Sequence, residues 1–130
     1  MGLGYKGGAD HFHSVSENIG TLKAKYGYEN GYFGEPGQGK SSSVRNIASE
    51  DPSSTAHSFY DELTYGGLEE PLYGKDGSVK GMFTEMADGT RINWRPVSSS
   101  PDKSPAVDID IQYSDDHGDL KTQKIHFVRS

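Results

Sequence analysis

Charged and imidazole side chains alternate with apolar residues in the second half of the chain, in a pattern that could assemble a site for cleaving phosphodiesters. The alternating polar residues are Arg91, Asn93 and Arg95 in residues 90–97, Asp108 and Asp110 in residues 106–113, and Lys124 and His126 in residues 122–129. An imidazole or carboxylate can take the proton of a ribose 2′-hydroxyl while a second group protonates the leaving oxygen, and cationic side chains stabilise the phosphoryl charge. Because the ribose hydroxyl is the nucleophile, this chemistry needs no metal ion.

The same alternation has a simpler interpretation, which the sequence leaves open. The solvent face of any antiparallel sheet carries charged residues, and cross-strand pairs of arginine and aspartate are ordinary stabilising neighbours. His126 is the most informative member of the set, because an imidazole among charged groups can titrate near neutral pH.

A second histidine cluster lies near the amino terminus, where His11 and His13 follow Asp10. Periodicity predicts a helix over residues 10–25, and residues i and i+2 of a helix point in different directions, so we predict no metal site here. His13 remains a candidate catalytic residue that could dock against the sheet.

Two further polar segments, residues 37–41 and the serine run that begins at Ser98, could contact a substrate. Residues 37–41 end in Lys40-Ser41, but the glycine spacing and the lack of a preceding strand exclude a phosphate-binding loop of the nucleotide-hydrolase type. Lys40 could still contact a substrate phosphate. Ser98 begins a serine run without the strand–turn–helix context of a serine hydrolase, and we retain it as a candidate substrate-binding residue.

The composition predicts one domain with a small, aromatic core. The chain has 130 residues, of which 32% are hydrophobic, a mean hydropathy of -0.76, and 8 Tyr, 5 Phe and 1 Trp. It has no cysteine, which excludes disulfides and cysteine-bound zinc. A net charge of -6 argues against nonspecific binding of nucleic acid, although a local basic cleft is compatible with it. No apolar stretch is long enough to span a bilayer, so no membrane partner is predicted.

Periodicity predicts an α+β fold, with N-terminal helices packed on a four-stranded antiparallel β-meander. We expect a single domain over 1–130, with a flexible leader (1–9), a helical half (10–67) that includes a long loop (26–46), and a meander (78–130). The clearest helix begins with Asp51 as its N-cap and Pro52 in its first turn, and its buried stripe ends at Leu63. The four strands are predicted at 79–86, 90–97, 106–113 and 122–129, with Asp88-Gly89 as a hairpin turn.

Six segments of the chain resemble the C-terminal toxin domains of bacterial polymorphic toxins. They are residues 9–14, 45–49, 86–90, 95–100, 104–109 and 123–127. Many such domains share the fold of barnase, EndoU, colicin nucleases and RelE, in which helices precede an antiparallel sheet whose exposed face cuts RNA. Barnase-like enzymes use a glutamate, arginines and a C-terminal histidine in that order, which implies Glu85, Arg91 or Arg95, and His126 here.

The resemblance implies a secreted effector toxin, carried on a larger chain, that acts as an endoribonuclease in the cytoplasm of a target bacterium. Its expected partners are RNA, with tRNA as one candidate, and a cognate immunity protein, and it needs no cofactor. His126, Arg95, Asp108, Glu85 and His13 are the candidate catalytic residues. The candidate substrate-binding residues are Arg91, Asn93, Lys124, Ser98 and Lys40. A toxin of another chemistry, such as an ADP-ribosyltransferase, and a non-enzymatic binding module remain alternatives.

Overall fold

The computed structural model describes residues 5–37, 39, 41–111 and 119–130. Its two α-helices are α1 (Ile19–Tyr26) and α2 (Pro52–Leu63). Its strands are β1 (Tyr28–Glu29), β2 (Tyr32–Phe33), β3 (Glu35–Pro36), β4 (Val44–Ser49), β5 (Leu68–Tyr73), β6 (Val79–Glu85), β7 (Arg91–Arg95), β8 (Ala106–Asp110) and β9 (Gln123–Arg129). Neither of these helices is long and apolar enough to cross a membrane.

Seven strands form one mixed sheet in the order β3-β4-β9-β8-β7-β6-β5, and β1 and β2 form a separate two-stranded sheet. Neighbouring strands are antiparallel except β4 and β9, which run parallel. The predicted fold class, N-terminal helices on a four-stranded antiparallel meander, is therefore wrong. Strands β6 to β9 pair in succession, but β3 and β4 extend the sheet beyond β9, and β5 extends it beyond β6.

The prediction misses β4 because a charged residue occupies one of its inward positions. Arg45 is 7% exposed and lies on the same side of the strand as the buried Ile47. Its guanidinium donates hydrogen bonds to the carbonyl oxygens of Phe33 (2.9 Å), Gly34 (2.9 Å) and Ser42 (3.3 Å). Arg45 thus satisfies the loop carbonyls before the strand, but it hides the alternation by which a strand is recognised.

The prediction misses β5 because its composition is unfavourable for a central strand. The strand contains Glu69, Glu70 and Pro71, and proline cannot donate a hydrogen bond to a neighbouring strand. At the edge of the sheet this is tolerated, because one side of the strand needs no partner.

The amino-terminal helix is shorter than predicted. Residues 11–14 are not helical, a 3₁₀ turn covers Val15–Glu17, and α1 begins at Ile19. Residues 5–9, expected to be part of a leader, include Lys6, whose ammonium lies 3.0 Å from the Asp61 carboxylate and 2.9 Å from that of Glu69.

The predicted helix after Asp51 is present as α2. The Asp51 side chain accepts a hydrogen bond from the Ser54 backbone N–H (3.2 Å), and Pro52 stands in the first turn, where no amide donor is required. Its buried stripe includes Phe59, whose ring packs against those of Phe33 (5.1 Å) and Phe127 (5.5 Å). This aromatic cluster covers one face of the sheet, and alternation therefore directs the intervening side chains of β7, β8 and β9 to the other face.

Candidate functional site

Strand register places the predicted polar residues on one face of the sheet. Directly opposite residues share a face, and Asn93 pairs with Asp108, which pairs with Lys124. In the next row Arg95 pairs with Ala106, which pairs with His126. On β9 the buried side chains are those of Gln123, Ile125 and Phe127, so Lys124 and His126 lie on the face away from the core. The predicted alternation of these strands is confirmed.

A small residue separates Arg95 from His126. The two lie on β7 and β9, about 10 Å apart at the backbone given the spacing of neighbouring strands. Ala106 stands between them on β8 and is almost fully buried. The position above its methyl group is covered, so Arg95 and His126 flank a filled position on this face.

His126 lines a cleft of about 600 Å³ at the end of the sheet. Asn46 and Val44 from β4 form one wall, and the loop residues Ser100 and Asp102 form the other. Parallel pairing of β4 with β9 places Asn46 directly beside His126. The imidazole is only partly buried, so the cleft can admit a ligand to it.

A chain of hydroxyl groups connects His126 to a carboxylate. The Nδ1 atom of His126 lies 3.1 Å from Ser104 Oγ, which lies 3.5 Å from Ser100 Oγ. Ser100 Oγ donates to Asp102 Oδ1 at 2.6 Å. The Ser104 hydroxyl can donate to Nδ1 or accept from it, so this bond holds the imidazole ring in place in either tautomer. The tautomer with its proton on Nδ1 has its lone pair on Nε2, and a general base that acts through Nε2 requires that form.

The loop that carries these hydroxyls is held by its own polar contacts. Asp102 Oδ1 also accepts the backbone N–H of Ser104 (3.1 Å), and the Ser98 N–H donates to the Ser104 carbonyl oxygen (3.1 Å). Hydrogen bonds from Ser100 and Ser104 hold the pKa of Asp102 below its usual value. The carboxylate is therefore charged at neutral pH and suited to fixing the loop.

Arg95 forms an ion pair with Asp108 that leaves donor and acceptor capacity unused. Its Nη2 atom lies 3.1 Å from Asp108 Oδ2, and the two side chains are 23% and 26% exposed. Arg95 Nε and Asp108 Oδ1 are buried and have no hydrogen-bond partner in the part of the chain that the structure describes. Asp108 thus orients the guanidinium, whose side chain is partly exposed while its Nε is closed to solvent.

Burial lowers the pKa of His126 below its usual value, and the positive charge of Lys124 lowers it further. Asp102 and Asp108 oppose these effects, and Arg95 lies near enough to lower the pKa as well. His126 is therefore neutral at pH 7 and able to accept a proton. Because the pKa is lower in the folded state, the stability that His126 contributes is present above the unfolded pKa and is lost as the pH falls through the folded one.

We predict that Lys124→Met raises the pKa of His126, because it removes the nearby like charge. The measurement is an NMR titration of the His126 ring proton between pH 4 and 9. Lys23→Met is the matched control: Lys23 lies on α1, 4.4 Å above the Tyr28 ring, and its loss should leave the titration unchanged. An unchanged or lowered pKa in Lys124→Met would show that this ammonium does not act on the imidazole.

The structure does not bring Glu85 and Arg91 together with His126. Glu85 pairs with Arg91 across β6 and β7, with 3.9 Å between the Glu85 carboxylate and the Arg91 guanidinium, and both side chains are more than half exposed. Arg91 stands four residues before Arg95 on β7, a displacement of about 13 Å along the strand. The barnase-like set of glutamate, arginine and histidine is thus split between two ends of the sheet.

The remaining predicted residues occupy different places. His13 lies on the helical side of the molecule, where its backbone pairs with Gly66 and Ala87 and its ring contacts that of Tyr65. Ser98 and Arg95, with Lys80, line a second depression of about 490 Å³. Lys40 and the last two residues of the predicted strand 106–113 lie outside the described residues.

Four residues around His126 were missed from the sequence: Asn46, Ser100 and Asp102, which line the cleft, and Ser104, which bonds to the imidazole. Asn46 was hidden because its strand was taken for a loop. The other three lie between β7 and β8, where a serine- and proline-rich composition indicates a loop but not the direction in which its side chains point. Comparisons with protein-family models, with curated proteins and with solved structures found no match to this chain.

Proposed function

We propose that this chain is the toxin domain of a secreted bacterial effector and that it cuts RNA without a metal ion. The observation that carries the proposal is an imidazole with a lowered pKa, bonded to Ser104 and lining a cleft, with the partly exposed Arg95 guanidinium two strands away on the same face. Acid–base cleavage of RNA needs those two groups: one to move the proton and one to stabilise the phosphoryl charge.

In the proposed reaction, Nε2 of His126 accepts the proton of a ribose 2′-hydroxyl. The 2′-oxygen then forms a bond to phosphorus as the bond from phosphorus to the 5′-oxygen of the next nucleotide breaks. The departing oxygen takes a proton from water, and the products are a 2′,3′-cyclic phosphate and a free 5′-hydroxyl. The imidazolium returns its proton to solvent before the next cycle.

The surrounding residues bind and orient the substrate in this scheme. Arg95 binds the phosphoryl oxygens at the scissile bond, and Asp108, a candidate catalytic residue from the sequence, holds the guanidinium in place. Lys80, which lines the depression beside Arg95, would contact the next phosphate. Local cations of this kind allow a chain with a net charge of -6 to bind a polyanion.

The resemblance to polymorphic toxins supplies the biological setting of the proposal. The domain would act in the cytoplasm of a target bacterium and be neutralised by an immunity protein. An immunity protein bound over the cleft, or over the surface around it, would prevent RNA from reaching His126.

Two assays test the function. Induced expression in the bacterial cytoplasm should stop growth, and the purified chain should fragment total RNA in the presence of EDTA. Growth at the normal rate together with intact RNA would contradict the proposal and favour a non-enzymatic binding module. Arrested growth with intact RNA would favour a toxin of another chemistry.

A further inference from the structure

Two histidines and a glutamate cluster on the opposite side of the molecule from the cleft. One ring nitrogen each from His11 and His13 and one carboxylate oxygen of Glu17 lie within 4.8 Å of one another. The two imidazole rings stack, with their centroids 4.2 Å apart. None of these atoms takes part in the proposed cleavage of RNA.

The backbone explains how the cluster forms. The sequence argument against a metal site assumed that His11 and His13 lie on a helix, where residues i and i+2 diverge. Residues 11–14 are in fact non-helical, and in an extended segment alternate side chains point to the same side. The 3₁₀ turn that follows brings Glu17 back toward them, with its N–H donating to the Ser14 carbonyl oxygen (3.2 Å).

This segment is attached to the body of the protein, so the cluster is held in place. The His13 N–H donates to the Gly66 carbonyl oxygen (3.0 Å), and the His13 carbonyl oxygen accepts the Ala87 N–H (2.8 Å). Gly66 is required here, because a Cβ atom at that position would lie 2.5 Å from the His13 ring. The His13 side chain thus packs directly against the backbone after α2.

Each member of the cluster has a second polar partner that orients it. His11 Nδ1 lies 3.0 Å from Asp10 Oδ1, and His11 Nε2 lies 3.0 Å from Glu17 Oε1. The other Glu17 oxygen, Oε2, accepts the Ser14 backbone N–H at 2.8 Å. In metal sites, the histidine nitrogen and the carboxylate oxygen that do not bind the ion typically form hydrogen bonds of their own. These bonds fix the orientation of the ligand.

Asn18 sets the tautomer of His13. The Asn18 amide nitrogen donates to the carbonyl oxygens of Leu63 (2.8 Å) and Tyr65 (2.7 Å), and the flipped amide would place an oxygen against both. Its Oδ1 therefore faces His13 Nδ1, 3.0 Å away, and must accept a proton from it. The Nε2 atom of His13 is left with its lone pair, the form in which an imidazole binds a metal.

We propose that His11, His13 and Glu17 bind one divalent transition-metal ion of the zinc type. Ligands at 2.0–2.2 Å in tetrahedral geometry lie about 3.3 Å apart, so the donors need to close by roughly 1.5 Å at most. The His11 and Glu17 side chains are 57% and 41% exposed and can make that movement. Two imidazoles and one carboxylate favour zinc, cobalt or nickel over magnesium and calcium, and water would complete the coordination.

The ion would hold residues 11–17 in the turn by which they pack on the domain, because all three ligands come from this segment. Its ligands come from both sides of the turn at Ser14, and His13 is already bonded to the segment after α2 and to the hairpin between β6 and β7. Binding should therefore favour the folded turn of residues 11–17 over its unfolded forms. It should be independent of RNA cleavage, because the ligands share no residue with the His126 cleft.

Calorimetric titration of the whole chain with zinc chloride is the first test. We expect one ion per chain. Co²⁺ bound in its place should give the visible absorption bands of a four-coordinate, tetrahedral site. His11→Ala and Glu17→Gln, both at exposed positions, should each weaken binding by more than about 100-fold, and Asp10→Asn should weaken it by about 10–100-fold. His57→Ala is the matched control, because His57 is exposed on α2 and pairs with Asp61, and its binding should equal that of the unchanged chain.

Thermal unfolding gives a second readout that does not depend on calorimetry. Zinc should raise the Tm of the unchanged chain and of His57→Ala, and it should leave the Tm of His11→Ala unchanged. Absence of zinc binding at millimolar concentration would overturn the proposal. Equal binding by His11→Ala and the unchanged chain would overturn it as well, since the ion would then lie elsewhere.

Discussion

Replacing His126 with alanine should lower the rate of RNA cleavage by about 10²–10⁴-fold, the usual contribution of one general acid–base group. His126 is the imidazole that lines the cleft, and its Nδ1 is bonded to Ser104, which leaves Nε2 as the nitrogen that acts on the substrate in the proposed reaction. Alanine removes the proton acceptor and leaves Arg95 and the loop in place. The measurement is the initial rate of fragmentation of a defined RNA in EDTA.

His57→Ala is the control for this substitution, because its imidazole is exposed on α2 and contacts the Trp94 ring on the other side of the sheet. It should cleave RNA at the unchanged rate. Circular dichroism should show that both variants are folded. A folded His126→Ala protein with full activity would remove the imidazole from the mechanism.

Replacing Arg95 with alanine should lower the cleavage rate by about 10²–10³-fold, the loss measured when one preorganised donor to a developing anion is removed. Arg95→Lys should recover only part of the rate, because lysine keeps the charge but lacks the planar pair of donors that fits a phosphate. The loss should appear in kcat more than in KM, since the negative charge at phosphorus increases in the transition state.

Arg91→Ala is the matched control for the arginine. Arg91 stands on the same strand and the same face, but it pairs with Glu85 and is 54% exposed. Its loss should change the rate by less than a factor of about three, in line with the small energies of exposed ion pairs. Equal losses in the two variants would indicate that the whole charged face, and not a local site at Arg95, binds RNA.

Alternation along single strands was the part of the fold that the sequence could predict. In β7 and β9 the inward residues are apolar apart from Gln123, so period two assigns Arg95 and His126 to the same outer face. The helix after Asp51 could also be predicted, because an N-cap residue, a proline in the first turn and a stripe of apolar residues occur together there. In both cases local residue types determine local structure.

Pairing between strands that are distant in the sequence could not be predicted from alternation. Strand β4 joins β9 in parallel although 73 residues separate Ser49 from Gln123, and its buried Arg45 removes the hydrophobic pattern of an inner strand. Strand β5 contains Pro71, which signals a loop in isolation and is acceptable only because the strand lies at an edge. The predicted number of strands was too small for these reasons.

In the candidate site, too, the residues on regular strands could be predicted from the sequence and the residues on the irregular loop could not. Side chains on regular strands, His126, Arg95 and Asp108, were placed on the correct face by counting residues. The groups that orient them lie on an irregular loop, and the bonds from Ser104 to His126 and from Ser100 to Asp102 depend on its path. The proposed metal site was missed for a related reason. A helix was predicted over residues 10–25, but α1 begins only at Ile19, after His11, His13 and Glu17.

The chemical identity of the RNA ends tests the proposed reaction most directly. Fragments from an EDTA-treated reaction should carry 2′,3′-cyclic phosphates and 5′-hydroxyls, and an oligonucleotide with 2′-deoxyribose at the cleavage position should remain intact. Fragments that end in 3′-hydroxyls and 5′-phosphates, or cleavage of the deoxy substrate, would show that water rather than the ribose hydroxyl attacks phosphorus. That result would contradict a mechanism in which His126 accepts the 2′-hydroxyl proton.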